Sequence, residues 1–288
     1  MEYHSPTELS EAYALLDKYR DAAVPIAGNT FFMGHREELF DEIDAVINIK
    51  KLGLSYIRNE DGVLKIGATT TLNEIPSSSI TTQGVYRILS ETVKELNINE
   101  VRNMATIGGE VCIAGEVDMP TTLLAYDADI VIGGSDGTRI VSMADFHLGY
   151  LNNALEVNEM VIEVRILKPP ANTGGGFHKF ERTAADIPIV NVAVRVSLGA
   201  DGICKDVRVV VGAATLSGIP QRSAAAEAVL LNQEIDDALI RQAAEVSSDV
   251  ECIDDFRTPA EVRTLWVKCS IEDALKKALI DVGRGEQL

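Results

Sequence analysis

Two short glycine-bearing segments contain the residue types and spacing in this chain that could do chemistry. The first is residues 26–30 (IAGNT), the second is residues 105–109 (ATIGG), about 80 residues later, and Asp118 follows the second. Glycine has no Cβ and adopts positive φ, so N–H groups in such a turn can approach phosphate oxygens closely. The two segments therefore predict the two halves of one phosphate-binding cradle.

Other motifs that announce chemistry are absent from the sequence. It contains no G-x-G-x-x-G after a strand, no G-x-x-x-x-G-K-[ST], no H-E-x-x-H and no recognisable Ser-His-Asp arrangement. We predict no catalytic acid or base and no metal ligand. The histidines are scattered, and we expect each to be a surface or packing residue; they are His4, His35, His147 and His178.

Length and charge limit the possible functions. A chain of 288 residues is long enough for two domains. Its 26 Lys and Arg against 44 Asp and Glu give a formal charge of −18, a field that repels nucleic acids and anionic membranes. An anionic ligand must therefore be held by local backbone dipoles.

The cysteines and the first residues predict a cytoplasmic setting. The four cysteines, at positions 112, 204, 252 and 269, form no C-x-x-C pair, which argues against a zinc site or an iron–sulfur cluster in this chain. They fit a reducing compartment. The opening residues show no basic and apolar leader, and no apolar run approaches the ~18 residues of a membrane span.

In the first half of the chain, hydrophobic spacing predicts mixed secondary structure. We predict a helix from residue 9 to about residue 20, then strands at residues 23–27 and 45–49 separated by a loop. This order, strand, loop and strand, differs from the start of a Rossmann unit. Further on we predict hairpins over residues 56–67 and 129–141, a helix over residues 85–96, and a helical turn over residues 120–125.

A composition break at residues 168–176 (KPPANTGGG) marks the predicted domain boundary, because its prolines and glycines disfavour both helix and strand ladder. Beyond it, residues 189–198 and 204–214 alternate as strands. The predicted helices that follow cover residues 224–231, 236–246 and 262–279. Strands followed by helices predict an α+β second domain.

Several motifs in order resemble a known family. The first loop, residues 66–70 (IGATT), residues 102–109 (RNMATIGG), residues 158–161 (NEMV) and residues 176–180 (GFHKF) occur in sequence along nearly the whole chain. Together they are similar to the FAD-binding (medium) subunit of the molybdenum hydroxylase or xanthine dehydrogenase family.

The resemblance implies an α+β protein made of two parts. Residues 1–172 would form a two-lobed FAD-binding domain of the vanillyl-alcohol-oxidase/PCMH type, with lobes of about 1–53 and 54–172. Residues 173–288 would form a C-terminal flavoprotein domain with an α+β fold.

The resemblance also implies a redox function. This chain would be a xanthine dehydrogenase-like oxidoreductase subunit in a cytoplasmic complex, a heterotrimer or a dimer of heterotrimers. A large partner would carry a molybdopterin-type molybdenum cofactor, and a small partner would carry two 2Fe–2S clusters. Electrons would pass from the clusters through FAD to NAD or another acceptor.

By the same resemblance, cofactor-binding residues can be carried over onto this sequence. The first loop would wrap the FAD diphosphate, and the second would turn its N–H groups and the Thr106 hydroxyl toward phosphate and ribityl oxygens. Asp118 would accept hydrogen bonds from sugar hydroxyls. Val161 and Lys179 would line the isoalloxazine. The full set is Pro25, Ile26, Ala27, Gly28, Asn29, Thr30, Phe31, Phe32, Thr106, Ile107, Gly108, Gly109, Glu110, Asp118, Val161 and Lys179.

Alternatives accompany these assignments. Lys179 could be an exposed strand lysine, Asp118 a helix cap before Pro120, Val161 a core residue and the second loop only a tight turn. The family usually has Asn where this chain has Glu110, and residues 113–116 (IAGE) also depart from its pattern. A self-contained FAD oxidase or reductase, or a structural subunit that has lost flavin, are the alternative functions.

Overall fold

The computed structural model describes residues 1–39, 42–96 and 98–283. Its first part is a small lobe built on a three-stranded sheet of order β1-β3-β2, in which both outer strands run parallel to β3. Two helices accompany this sheet. The elements are β1 (Glu2–His4), α1 (Leu9–Tyr19), β2 (Ala23–Ile26), α2 (Thr30–Leu39) and β3 (Ala45–Asn48).

The segment between β2 and β3 differs from our prediction of an irregular loop, which is wrong. It contains α2, so the lobe holds a strand, a helix and a parallel strand. Parallel neighbours need a long crossover connection, and a helix is the usual one. Gly34, in the middle of α2, weakens the helical pattern in the sequence because glycine is a poor helix former.

The second lobe is built on a five-stranded sheet of order β4-β5-β10-β6-β7. Both predicted hairpins are confirmed, as β4 pairs with β5 and β6 pairs with β7. The central strand β10 was not predicted as a strand; it pairs antiparallel with β5 and β6. The five strands are β4 (Ile57–Glu60), β5 (Val63–Gly67), β6 (Asp129–Gly134), β7 (Gly137–Ser142) and β10 (Met160–Leu167). Between β7 and β10 the chain forms a separate two-stranded hairpin of β8 (His147–Gly149) and β9 (Asn152–Asn153).

Short helices cover this sheet and lead the chain to the second glycine loop. The predicted helix over residues 85–96 appears as a 3₁₀ turn at Gly84–Tyr86 followed by α3. The second loop itself opens a helix, α5, and the predicted turn after Asp118 is α6. The helices are α3 (Ile88–Glu95), α4 (Asn99–Met104), α5 (Ile107–Cys112), α6 (Met119–Ala125) and α7 (Met143–Phe146).

The C-terminal part is a four-stranded antiparallel sheet of order β11-β12-β13-β14 packed against helices. The predicted strands and helices of this part are confirmed in order and type, with small shifts at their ends. The elements are β11 (Thr173–Phe180), β12 (Val190–Leu198), β13 (Cys204–Gly212), β14 (Gln221–Arg222), α8 (Ala224–Leu230), α9 (Asp237–Val246) and α10 (Ala260–Asp281).

The three successive glycines lie inside β11, so the prediction that they would exclude a strand ladder is wrong. β11 pairs with β12 along its whole length. A Cβ on Gly174 would stand 2.1 Å from the carbonyl oxygen of Ala278, and one on Gly176 would stand 2.0 Å from that of Ala274. Both carbonyls belong to α10. The glycines therefore allow the strand and the helix to approach more closely than side chains would permit.

The C-terminal sheet also packs against the second lobe. Gly175 faces away from α10, and a Cβ there would meet the Tyr126 hydroxyl at 2.7 Å and Ile88 at 2.8 Å. Phe177 and Val210 are buried in the same hydrophobic cluster as the core of the second lobe. The second lobe is thereby joined to the C-terminal part through continuous apolar packing. Within the described ranges, no helix has both the length and the apolarity needed to cross a bilayer.

Candidate cofactor site

A cavity of about 530 Å³ is walled by residues of both lobes. The wall from the first lobe comes from β2 and the start of α2, and the opposite wall comes from α5 and the start of β10. Thirteen of the sixteen predicted residues line this cavity, whereas Ile107, Asp118 and Lys179 do not. The thirteen are Pro25, Ile26, Ala27, Gly28, Asn29, Thr30, Phe31, Phe32, Thr106, Gly108, Gly109, Glu110 and Val161.

The first loop is shaped by Gly28 and Asn29. A Cβ on Gly28 would stand 2.2 Å from the carbonyl oxygen of Met104, so the two glycine loops touch at this point. Asn29 has φ of 65°, a left-handed conformation that Asn tolerates better than most residues. Its Oδ1 is buried and has no hydrogen-bond partner among the described residues. Helix α2 begins at the next residue, so its N-terminus is at the cavity wall.

The second loop is held by its own hydrogen bonds. The Thr106 hydroxyl accepts from the Gly109 N–H at 3.2 Å and so caps α5. The N–H of Ile107 donates to the carbonyl of Thr70 at 3.0 Å, and that of Gly108 to the carbonyl of Ala68 at 2.9 Å. The expectation that these N–H groups turn toward a ligand is therefore wrong for Ile107 and Gly108. They fix the loop against the second lobe.

Gly108 and Gly109 serve different purposes in that loop. A Cβ on Gly108 would stand 2.7 Å from the Ala68 carbonyl oxygen, so this glycine permits tight packing. A Cβ on Gly109 would meet only the Thr106 hydroxyl oxygen, at 3.3 Å. Since Gly109 lines the cavity, its bare Cα leaves room there for a ligand.

Glu110 is a buried acid in the cavity wall, only 8% exposed. Its carboxyl accepts from the backbone N–H groups of Asp118 and Met119, while Oε2 has no hydrogen-bond partner among the residues described. Burial, together with the nearby Asp118 carboxylate, raises the pKa of Glu110 to about 7. This acid is therefore about half protonated near neutral pH.

Asp118 and Lys179 form a buried ion pair between the second lobe and the C-terminal part. Lys179 Nζ lies 3.3 Å from Asp118 Oδ2 and 2.8 Å from Glu181 Oε2. Asn191 donates to the other oxygen of Asp118 at 2.8 Å. Burial lowers the pKa of Lys179, but the two carboxylates outweigh it and hold that pKa above its usual value.

This pair decides between the alternatives for both residues. The lysine side chain is 3% exposed, so the interpretation as an exposed strand lysine is wrong. Asp118 precedes α6 but its side chain makes no capping hydrogen bond, so the capping interpretation is also wrong.

Val161 lies in β10, in the buried core and in the cavity wall at once, next to a bulge between Val161 and Glu163. Bulges redirect side chains beside functional sites.

Several cavity residues were missed by sequence reasoning. The β8–β9 hairpin brings Leu151 and Asn153 to the wall, and Leu151 has φ of 54°. Arg20, after α1, also has a positive φ, 50°, and is the one Lys or Arg among the described residues that line the cavity. No local pattern marks these residues, because they reach the cavity only through the folding of separate segments.

Two protein families match successive parts of this chain. Residues 1–169 match the FAD binding domain in molybdopterin dehydrogenase, and residues 176–278 match the CO dehydrogenase flavoprotein C-terminal domain. The FAD subunit of nicotinate dehydrogenase from Eubacterium barkeri is 33% identical over 213 residues, which cover 70% of this chain and 71% of that protein.

Two carbon monoxide dehydrogenases match over nearly the whole chain. The medium chain from Afipia carboxidovorans is 27% identical over 280 residues, 96% of each protein. The solved structure of the enzyme from Hydrogenophaga pseudoflava that lacks the Mo-pyranopterin moiety of its molybdenum cofactor has a TM-score of 0.91, with 29% identity and 98% coverage of both chains.

The fold, the two-loop cavity and these matches define a flavoprotein subunit of the oxidoreductase class. The chain belongs to the family of FAD-binding subunits of molybdenum-containing hydroxylases and dehydrogenases.

Proposed function

We propose that this chain is the electron-transfer subunit of a molybdenum hydroxylase complex and binds FAD in the cavity between its two lobes. It receives electrons from 2Fe–2S clusters in a small partner subunit and passes them to NAD or another acceptor. A large partner with a molybdopterin-type cofactor oxidises the substrate. The observation that carries the proposal is the cavity itself, because both predicted loops line it and touch at Gly28.

The residues present fit a dinucleotide. The cavity volume of about 530 Å³ lies within the range of ~300–1,000 Å³ typical of ligand pockets. Gly109 leaves space beside the second loop, and the buried Oδ1 of Asn29 and Oε2 of Glu110 lack partners that a polar ligand would supply. These are the features expected of a site that surrounds a polar, elongated cofactor.

Within such a site the chain's own residues bind and orient rather than react. Bound FAD supplies the redox chemistry, and no acid or base of this chain is assigned to a chemical step. The first loop and Gly109 hold the cofactor, and Val161 closes one wall with an apolar side chain. Asp118 and Lys179 stand behind the wall, where they join the second lobe to the C-terminal part. We assign to them the support of the site.

The proposed assembly is a cytoplasmic heterotrimer, or a dimer of heterotrimers, of this chain with a large molybdenum-binding and a small iron–sulfur subunit. Affinity purification of the tagged chain from its native host, followed by mass measurement, tests this assembly. We expect two partners of different size, with molybdenum and iron in the eluate. A chain that isolates alone and turns over a small substrate by itself would instead indicate a self-contained FAD oxidase or reductase.

A visible spectrum tests the cofactor. The purified chain, reconstituted with FAD and passed through a desalting column, should keep flavin absorption at close to one FAD per chain. Anaerobic addition of NADH to the purified complex should bleach those bands if NAD is its redox partner. A correctly folded chain that retains no flavin would overturn the proposal and favour a structural subunit.

A further inference from the structure

The geometry points to Glu110 as an acid that keeps its proton in the complex and donates it to an anionic phosphate oxygen of the bound cofactor. This inference rests on the proposed FAD site. It assigns a hydrogen-bond donor role to the side chain, and it makes cofactor affinity depend on pH.

The first argument is the position of the unpartnered oxygen. Glu110 is more than nine-tenths buried and lines the cavity, and its Oε2 finds no partner among the described residues. The backbone N–H groups of Asp118 and Met119 already donate hydrogen bonds to the Glu110 carboxyl. A buried polar atom left without a hydrogen bond costs about 1–3 kcal/mol. A ligand oxygen in the cavity would supply the missing partner.

The second argument is the local charge balance. From β11, Lys179 is the cation that faces Glu110, but it is already shared by Asp118, before α6, and by Glu181. One positive charge thus stands against two acidic groups before Glu110 is counted, and burial already raises the pKa of Asp118. An ionised Glu110 would be a third carboxylate beside one lysine, and a phosphate would add further negative charge. The protonated acid avoids this repulsion.

Among the described residues, no cation besides Lys179 is found to act on the charge of Glu110. From β12, Asn191 is neutral and bonds Asp118. From β8, the buried ring of His147 contacts the backbone oxygen of Val111, and burial lowers the pKa of His147, which keeps the ring neutral above pH 6.5. Of the remaining charged residues that line the cavity, Arg20 is a cation, whereas Asp21, Glu156 and Glu159 are acids.

The direction of the pH effect follows from linkage. The unliganded Glu110 has a pKa raised to about 7, mainly by burial. If only the protonated form donates to the ligand, binding raises that pKa further, and affinity is full below pH 7 and declines as the pH rises above it. With these values the dissociation constant for FAD should be about tenfold larger at pH 8 than at pH 6.

The test uses the full chain freed of flavin and titrated with FAD at pH 6, 7 and 8, with binding followed by flavin fluorescence and by calorimetry. For the wild-type chain we expect the tenfold weakening and, at pH 8, uptake of close to one proton per FAD bound, measured in buffers of different ionisation enthalpy. Glu110→Gln should bind with an affinity that does not change over this range and with no proton uptake. The control Glu100→Gln removes an exposed acid on α4, outside the cavity, and should keep the wild-type pH slope.

Each other outcome has a distinct meaning. Binding that does not change with pH, binding that strengthens above pH 7, or an unchanged slope in Glu110→Gln would overturn the role of the Glu110 proton and leave the FAD site standing. A folded wild-type chain that binds no FAD at any pH would overturn the proposed function together with this inference. If Glu110→Gln does not fold, the pH slope and the proton uptake of the wild-type chain still decide the matter.

Discussion

Gly28 and Met104 lie against each other across the two lobes, so close that a Cβ on the glycine would be 2.2 Å from the carbonyl oxygen of the methionine. This contact joins the first glycine loop to the residue that ends α4, just before the second loop. This contact therefore fixes the position of the first loop relative to the second. The contact involves backbone on the Met104 side, so a flexible side chain cannot yield to relieve a clash.

Replacing that glycine should damage both the fold and the site. Gly28→Ala places a methyl group against backbone, and we expect the free energy of unfolding to fall by about 1–3 kcal/mol. The methyl group should also push the two loops apart and weaken their contacts with FAD. A loss of ~1.4 kcal/mol of binding free energy corresponds to a tenfold fall in affinity, and we expect at least that much. Urea denaturation and FAD titration measure the two effects.

The matched control is Gly34→Ala. Gly34 lies in α2, and a Cβ there would meet no atom within 4 Å. Since alanine is the better helix former, this variant should be more stable by about 0.5–1 kcal/mol and should bind FAD normally. Equal behaviour of the two variants would show that the Gly28 contact has no special role.

The buried lysine should matter more for stability than an exposed one. Lys179→Met leaves the carboxylates of Asp118 and Glu181 without their shared cation, and breaking a buried pair typically costs about 3–5 kcal/mol. Lys205→Met removes the exposed partner of Asp201 and should change stability by less than ~1 kcal/mol. Chemical denaturation of both variants tests the difference. A Lys179→Met protein as stable as the control would show that the buried pair contributes little.

The glycines of β11 should resist substitution because of the helix behind them. In Gly176→Ala the new methyl group would stand 2.0 Å from the Ala274 carbonyl oxygen in α10, and we expect a loss of about 3 kcal/mol. Gly149→Ala in β8 meets nothing within 4 Å and should stay within about 0.5 kcal/mol of the parent. Thermal melting of the pair is the measurement. A tolerated Gly176→Ala would mean that α10 can move away from the strand at little cost.

Arg20 should attract the anionic cofactor into an otherwise acidic cavity. Arg20→Gln removes the cation that lines the cavity, and an exposed charge contact is worth up to about 1 kcal/mol, so FAD should bind roughly fivefold more weakly at low salt. The difference from wild type should shrink as salt screens the contact. Arg58→Gln, an exposed change on β4, is the control. An effect that persists unchanged in high salt would assign Arg20 a packing role.

Sequence reasoning worked where the physical requirement is local. Hydrophobic alternation predicted β12 and β13, and Asp-Gly marked the β4–β5 turn, where Asp61 and Gly62 both have positive φ. It failed for β11, because its glycines resemble a flexible linker in the sequence, whereas in the structure they let α10 pack directly against the strand. It also failed for α2, whose pattern is interrupted by Gly34. The β11 glycines are required by a distant helix, whereas Gly34 lies in open space within a helix that connects the parallel strands β2 and β3.

The sequence by itself determined the family, the α+β class and the two loops. The order of the motifs can be read directly from the residues, and a close approach of two backbones requires glycine, which the sequence also shows. Only the tertiary structure decided which of these residues line the cavity and which lie outside it. It placed Asp118 and Lys179, 61 residues apart, in a buried pair behind the cavity, and it set the N–H groups of Ile107 and Gly108 to hold the loop. It also raised the pKa of Glu110 to about 7, because a pKa depends on desolvation and neighbouring charge, which a sequence position does not contain.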